Sequence, residues 1–227
     1  MSDVDLAAVS VRELNERLHR LPADTNDGRW RVANPRGAHA IAAGLTVPVQ
    51  VEIDGHVGYY CAGMNAQACV TVRGHAGTGL AENIMSGVVR VTGNASQSAA
   101  ASGRGGLVVI EGDASARCGI SMKGVDIVVG GSIGHMSAFM GQAGSLVVCG
   151  DAGADLGDSI YEAEIFVAGK VSSLGADCIE KEMSAEHRTQ VAELLARAGI
   201  AADAAGFRRY GSSRQLYHFH IDHAGRY

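Results

Sequence analysis

Aromatic residues and proline are scarce in this 227-residue chain, and each shortage narrows the possible architecture. Aromatic residues make up 5% of the sequence while hydrophobic residues make up 47%, so Val, Ile, Leu and Ala must fill the core. Only 3 prolines stand beside 31 glycines, which indicates many tight backbone bends. The length suggests one large domain, or one domain with decorated ends.

Paired cysteines and basic charge are also missing. The five cysteines contain no CxxC pair, which argues against a disulfide framework and against zinc or iron–sulfur signatures. A net charge of −5 argues against nucleic acid as the main partner. The acidic amino terminus predicts no signal peptide, and no apolar run is long enough to span a membrane. We therefore expect a cytoplasmic protein with reduced thiols.

Glycine recurs every 19 residues through the middle of the chain. Positions two and four residues before each glycine are β-branched or Leu, as Ile53 and Val51 are in the first repeat. This alternation points both side chains to one face of a strand, and the glycine supplies a bend that a side chain would obstruct. The repeated glycines are Gly55, Gly74, Gly93, Gly112, Gly131, Gly150 and Gly169.

The repeat predicts an all-β fold, a right-handed parallel β-helix of about seven 19-residue coils with short helical caps at both ends. No single coil buries its own apolar face, so stacked coils must share one aliphatic core. With coils about 4.8 Å apart, the rod would be roughly 30 Å long. The period excludes left-handed hexapeptide and calcium-binding nonapeptide solenoids, whose coils have about 18 residues.

The two ends lack the repeat, so the predicted division is a capping and partner-binding segment at 1–48, the β-helix at 49–183, and a helix with an extended tail at 184–227. In the first segment, Ser10 and Glu13 form a capping box that predicts a helix from Val11 to about His19. The Ala-rich stretch between Trp30 and Leu45 is a second helical candidate.

The carboxyl-terminal segment carries its own helix signals. Ser184 predicts the start of a helix over residues 185–198, which Gly199 ends. Beyond it, residues 216–221 alternate like a strand or an extended arm.

Glycine-rich and cysteine-containing motifs invite catalytic interpretations that their context does not support. The segments 103–106 and 130–134 look like phosphate-binding loops, but a strand rather than a helix follows each of them, so we interpret them as coil corners. Cys61 and Cys118 share a column three coils apart, roughly 14 Å, which is too far for a disulfide. Neither has a paired base, so we expect core residues.

Histidines offer a metal-site hypothesis. His218, His220 and His223 are the best candidates for a metal site. Because no further ligand cluster accompanies them, we favour a surface or interface strand and predict no metal residue. His56 and His75 occupy one column, which predicts an exposed ladder.

Carboxylates suggest a carbohydrate-active β-helix lyase or hydrolase as an alternative of another class. These are Glu111, Asp113, Asp151, Asp155 and Asp158, which could line one side of the rod. Such enzymes need aromatic platforms for sugars, whereas Tyr59, Tyr60, Phe139, Tyr161 and Phe166 are scattered. We therefore predict no catalytic or cofactor-binding residue in this chain.

The coil sequences resemble a specific family. Segments 79–87, 93–98, 105–114, 119–124 and 174–178 are similar to the carboxyl-terminal GXGXG β-helix domain of the glutamate synthase large subunit. The flanks at 34–42 and 214–219 are similar to its stand-alone form, the middle subunit of N-methylglutamate synthase and of related three-subunit complexes. A second resemblance is to the β-helix subunit of formylmethanofuran dehydrogenase.

The resemblance implies a division of labour in an oxidoreductase complex of nitrogen metabolism. A class II glutamine amidotransferase subunit would release ammonia, and an FMN and iron–sulfur synthase subunit would use it. The β-helix would be a non-catalytic part that holds them together and helps enclose the passage between them. The sequence agrees, because dispersed cysteines provide no cluster site and a solenoid provides no FMN-binding fold. FMN and the iron–sulfur cluster are therefore expected in the partner.

Five residues are candidate partner contacts. Arg104, Arg117 and Lys123 are cations on an otherwise acidic rod, since residues 49–180 hold 6 Lys/Arg against 13 Asp/Glu. Asn83 and Ser86 lie in the segment with the densest resemblance.

Overall fold

A computed structural model describes residues 2–25 and 28–214. The strands in these ranges are β1 (Ser2–Asp5), β2 (Arg29–Ala33), β3 (Gln50–Asp54), β4 (Cys69–Val72), β5 (Val88–Val91), β6 (Leu107–Ile110), β7 (Lys123–Val129), β8 (Ala143–Val148), β9 (Glu164–Val167), β10 (Cys178–Lys181) and β11 (Arg208–Ser212). The helices are α1 (Val11–His19) and α2 (Ala185–Ala198), and a 3₁₀ turn covers Ala204–Gly206.

Strands β1 to β9 form one continuous parallel ladder. From β3 onward the ladder keeps the 19-residue register, with Val51 opposite Val70 and Ile53 opposite Val72. A second ladder of single parallel bridges runs from Val57–Ala76 to Ala152–Val171 on another side of the rod. The predicted right-handed β-helix with helical caps is confirmed.

The ladder begins earlier in the chain than residue 49. Strand β2 pairs with β3 at an offset of 21 residues, with Val32 opposite Ile53, and β1 pairs with β2. Between β2 and β3 the Ala-rich stretch forms a coil corner, in which Ala40 and Ala42 both have φ of 54°. The helical interpretation of this stretch was wrong, because stacking on the next coil overrides the helix propensity of alanine.

The carboxyl-terminal end of the sheet reverses direction. Strand β11 inserts between β9 and β10 and is antiparallel to both. Beyond β9 the sheet therefore continues with two antiparallel strand pairs instead of another coil. Tyr210 of β11 is buried and adds an aromatic ring to the core.

Aliphatic side chains fill the interior of the rod. The strand columns that begin with Val51 and Ile53 are buried throughout, and the corner columns that begin with Cys61 and Ala62 are equally inaccessible. These columns join into one apolar cluster that runs along the rod. Burial of this shared surface, rather than any one coil, stabilises the solenoid.

Helix α1 covers the amino-terminal end of this core. Its bounds agree with the prediction, and Ser10 accepts a hydrogen bond from the backbone N–H of Glu13. Leu14 and Leu18 are fully buried. Asn15 fixes the helix to the first corner, because its amide donates to the carbonyl of residue 40 at 2.8 Å and accepts from the N–H of residue 42 at 3.0 Å.

Helix α2 packs on the outer face of the sheet. It spans the predicted residues, begins with a capping box between Ser184 and His187, and ends at Gly199 with φ of 64°. Val191, Leu194, Leu195 and Ala198 form a second apolar cluster with outward-facing residues of β6 to β9. That outward column changes from polar to apolar where the helix covers it: Glu52, Thr71, Arg90, Val109, Val128, Val147 and Phe166.

A side-chain ladder explains most of the glycine column. The residue after each of the first six glycines accepts a hydrogen bond from the backbone of the next coil, as Asn94 Oδ1 does from the N–H of Asp113 at 3.0 Å. A Cβ at Gly112 would lie 2.1 Å from that Oδ1. Among the seven repeated glycines only Gly55 has a positive φ, so close approach rather than backbone conformation requires glycine at the others. Ladder acceptors are His56, His75, Asn94, Asp113, Ser132 and Asp151.

Candidate partner-binding face

The coil corners hold their surface residues in an unusual and repetitive backbone conformation. Most coils place three alternate residues in the left-handed region, as at Tyr60, Ala62 and Met64, whose φ values are 59°, 53° and 54°. Their N–H groups bond alternately to neighbouring coils, since residue 60 donates to Thr78 and residue 62 donates to Ile41. Each corner is therefore fixed on both sides, and its outer side chains stand on a rigid base.

Two neighbouring columns of these corners form a surface that we call the docking face. Coils stack about 4.8 Å apart, and six successive coils carry the ten residues of this face in two parallel rows. One row is Met64, Asn83, Ser102, Ser121 and Met140, and the other is Met85, Arg104, Lys123, Gln142 and Tyr161. The rows contain two cations and no carboxylate, on a chain whose net charge is −5.

Apolar side chains on the docking face are unusually accessible. Met64, Met85 and Tyr161 are each 45% exposed, and Met140 is 38% exposed. Methionine, tyrosine and arginine are the types enriched in the buried centres of protein interfaces. Unbranched methionine also adapts its shape to a partner.

The two cations of the docking face, together with Arg117, are exposed and form no ion pair with any residue in the described ranges. Elsewhere arginines commonly have acidic neighbours, as in the pairs Arg73–Glu52 and Arg197–Asp126. Arg104 and Lys123 occupy the same column in adjacent coils, which concentrates positive charge at the middle of the face.

The structure brings together three of the five predicted contact residues. Asn83 lies in the row beside Arg104 and Lys123, so these three belong to the docking face. Ser86 is half-buried, and its Oγ accepts from the N–H of Gln67 at 2.9 Å, which gives it a role within the coil. Arg117 is exposed but occupies a different corner column, with φ of 60°.

Sequence reasoning missed the exposed methionines and Tyr161. The signal was available, because Met85 and Tyr161 occupy the same position of the repeat as the two predicted cations. An apolar side chain at a position that other coils fill with Arg, Lys or Gln must face outward. Alignment of the outward positions of the repeat, as well as the core positions, therefore predicts the whole face.

The groups considered for catalysis have structural roles. Asp113 and Asp151 are ladder acceptors, and Glu111 pairs with Arg90 at 2.8 Å, so each of these three carboxylates has a partner within the rod. Phe166 is fully buried and cannot stack on a sugar. The segment 130–134 is a coil corner, as predicted.

Thiols and histidines likewise provide no reactive centre within residues 2–25 and 28–214. Burial raises the pKa of Cys61 and Cys118 to about 12, which keeps both as inert thiols in the core. The rings of His56 and His75 stack at 4.9 Å as part of the side-chain ladder. No three His, Cys, Asp or Glu residues of these ranges gather in a metal-binding group. His218, His220 and His223 lie outside the described residues.

A shallow depression on the outer sheet face is small for a cofactor. It has a volume of about 160 Å³ and is lined by Arg29, Trp30, Gln50, Val51, Glu52, Cys69 and Thr71. Pockets for cofactors and drug-sized ligands usually measure about 300–1,000 Å³. No helix in the described part of the chain is long and apolar enough to cross a bilayer.

One known protein matches this chain from end to end. Protein GlxC of Rhizobium meliloti (strain 1021) is 60% identical over 228 residues, a match that covers 100% of both chains. The chain belongs to the GlxC family. No protein-family model matches it. Because the match covers the whole length, it includes the end segments and the docking face as well as the repeats of the rod.

Proposed function

We propose that the chain is a non-catalytic structural subunit of a glutamate-synthase-like complex of the N-methylglutamate synthase type. It would dock a class II glutamine amidotransferase subunit to an FMN and iron–sulfur synthase subunit and help enclose the ammonia path between them. The docking face is the observation that carries this proposal. Its support is the resemblance of the coils to the glutamate synthase β-helix domain, together with membership of the GlxC family.

The chemistry of the docking face fits a partner whose surface is acidic and partly apolar. Arg104 and Lys123 would steer such a surface toward the rod, because complementary charge mainly raises the association rate and fixes orientation. The neighbouring Met85 and Tyr161 would then supply apolar area that water leaves on contact. Six coils give the face a length of roughly 24 Å, so its ten residues would form the centre of one side of a standard interface.

A filled rod suits a part that separates and positions other subunits. Its interior is closed by its own aliphatic columns, so it offers little room for a cofactor. The coil corners resist bending, because their backbone N–H groups bond to the preceding and the following coil. Such a body would hold two partners at a constant spacing and wall the passage between them.

Co-expression tests the assembly. The chain with both proposed partner subunits should elute as one complex in size-exclusion chromatography, and native mass spectrometry would give its composition. The double variant Arg104→Glu with Lys123→Glu should reduce complex yield at least about tenfold, since it places two like charges against an acidic partner. A matched control is Arg29→Glu with Lys170→Glu, which makes the same charge change at exposed cations outside the docking face.

An activity measurement tests the enclosure of ammonia separately. In a mixture of all three subunits that contains the docking-face variant, glutamine-dependent synthesis should fall, while synthesis from free ammonia should persist because the synthase subunit is unchanged. Equal loss of both activities would contradict a role in the passage. A chain that remains alone with both partners present, or wild-type complex yield from the docking-face variant, would overturn the proposed docking.

A further inference from the structure

Strand β10 forms the carboxyl-terminal edge of the sheet. It is the last strand in the sheet order, and no described strand pairs with its outer side. The N–H of Ser213 donates to the carbonyl of Asp177 at 2.7 Å, so at this pair the Asp177 carbonyl points toward the β11 side. Antiparallel pairs alternate, so Ile179 and Lys181 also direct their backbone groups toward β11.

The backbone groups of the intervening residues therefore point away from β11. The N–H of Cys178 already donates to the carbonyl of Gly175 at 3.3 Å. Among residues 2–25 and 28–214, the carbonyl of Cys178 and both backbone groups of Glu180 have no partner at the outer edge. Ile179 is 43% exposed on the same strand, one of the few large apolar side chains left accessible.

We propose that a second copy of this chain pairs with β10 in antiparallel fashion, about a two-fold axis at Ile179. This register sets Ile179 opposite Ile179 of the second copy, and sets Cys178 opposite Glu180. The Glu180 N–H of each copy donates to the Cys178 carbonyl of the other, which gives two symmetric backbone bonds. The two sheets then continue through the interface, and an isologous contact closes the pair.

Side chains in this register complement one another. Ile179 would be in a pair without mutual hydrogen bonds, where Cα atoms lie about 4.5 Å apart and side chains are in closest contact. Two residues further, Lys181 comes opposite Asp177 of the second copy. Asp177 already pairs with Arg214 at 2.7 Å, so its carboxylate would be shared between two cations.

At the opposite edge of the sheet, the charges of strand β1 disfavour pairing with a second copy. Strand β1 carries Asp3 and Asp5, both exposed on one face. Antiparallel pairing of two copies about Val4, Asp3 or Asp5 would set carboxylates opposite carboxylates, which is unfavourable. Charged edge strands are a common protection against such pairing. The β10 edge has no such like-charge pair in the register proposed, so the rods would join at their carboxyl-terminal ends.

Sedimentation equilibrium of the full chain over a concentration series tests the dimer. One strand pair buries a small area, so a weak, concentration-dependent dimer is expected. Glu180→Pro removes the outward N–H, and Ile179→Lys places like charges face to face. Each should raise the dimer dissociation constant at least about tenfold. Tyr59→Lys, at 60% exposure and outside both the docking face and β10, is the control and should leave the constant unchanged.

A cross-link tests the register itself. Ile179→Cys would bring two thiols together across the axis at a separation suited to a disulfide. Mild oxidation should give a covalent dimer of this variant, but not of Tyr59→Cys or of the wild-type chain. A wild-type chain that stays monomeric, because another segment or another protein occupies this edge, would overturn the proposal. So would a dimer that neither edge variant weakens, or a failure of the Ile179→Cys cross-link.

Discussion

Arg90 on strand β5 donates through Nη2 to the carbonyl oxygen of Ala198 at 2.6 Å, although 108 residues separate them. Its Nη1 donates to Glu111 at 2.8 Å, so one guanidinium joins the sheet to the last turn of α2. The carbonyls at the end of a helix lack partners within the helix and carry partial negative charge. Arg90 satisfies one of them. It is the last polar residue of the outward column before the apolar part that α2 covers.

Removal of this guanidinium should loosen the end of α2. We expect Arg90→Ala to lower the free energy of unfolding by about 1–2 kcal/mol, because a charge-assisted bond to a helix terminus is lost. Urea denaturation followed by circular dichroism would measure it. Arg73→Ala is the control, since its ion pair with Glu52 is exposed and should contribute about 0–1 kcal/mol. Equal effects of the two changes would contradict the role given to Arg90.

The side-chain ladder makes a testable claim about the glycine column. A methyl group at Gly112 would collide with Asn94 Oδ1, so we expect Gly112→Ala to lower the free energy of unfolding by about 1–3 kcal/mol. Gly206→Ala is the matched control, because no atom lies within 4 Å of the added methyl group. Thermal denaturation of both variants would compare them.

A double mutant separates collision with the Asn94 side chain from collision with the backbone of Gly93 in the same experiment. Asn94→Ala removes the obstructing oxygen, so the cost of Gly112→Ala should be smaller in that background than in the wild type. Some cost should remain, because the added methyl group would still lie 3.0 Å from the backbone of Gly93. An undiminished cost would mean that the ladder is not the reason for glycine.

The 19-residue period was sufficient to predict the solenoid, because each core column is repeated in sequence. The alternation at Val51 and Ile53 recurs in every coil, and stacking requires that register. Both helices were predicted to within their observed bounds, because Ser10, Ser184 and Gly199 provide local cap signals. These elements depend on short-range chemistry or on repetition, both of which are visible in one sequence.

Features that depend on contacts between distant residues were not predicted. Ala40 and Ala42 adopt a left-handed conformation that their own propensity opposes, and only stacking on the next coil explains it. The position of α2 depends on an outer column that turns apolar at Val109, which a search for core columns overlooks. For the same reason, only Arg104, Lys123 and Asn83 of the docking face were predicted from the sequence.

Helix α2 should depend on its apolar face more than on its exposed surface. Leu194 is 4% exposed and packs in the outer cluster, so we expect Leu194→Ala to lower the free energy of unfolding by about 2–3 kcal/mol. Glu193→Ala, one residue earlier on the exposed side, should change it by less than about 0.5 kcal/mol. Chemical denaturation monitored by circular dichroism would show whether α2 is bound to the sheet as described.

The buried cysteine thiols should react more slowly with an alkylating reagent than the exposed one. Burial raises the pKa of Cys61 and Cys118 from 9.0 to about 12, so at pH 9 both remain protonated in the folded chain, whereas unfolded thiols are half ionised. Since only the thiolate reacts quickly, iodoacetamide at pH 9 should modify the exposed Cys69 first, although partial burial also raises its pKa. Mass spectrometry would locate the adducts. Both buried sites should react at the rate of Cys69 once denaturant unfolds the chain, and rapid labelling of Cys118 before unfolding would contradict its place in the core.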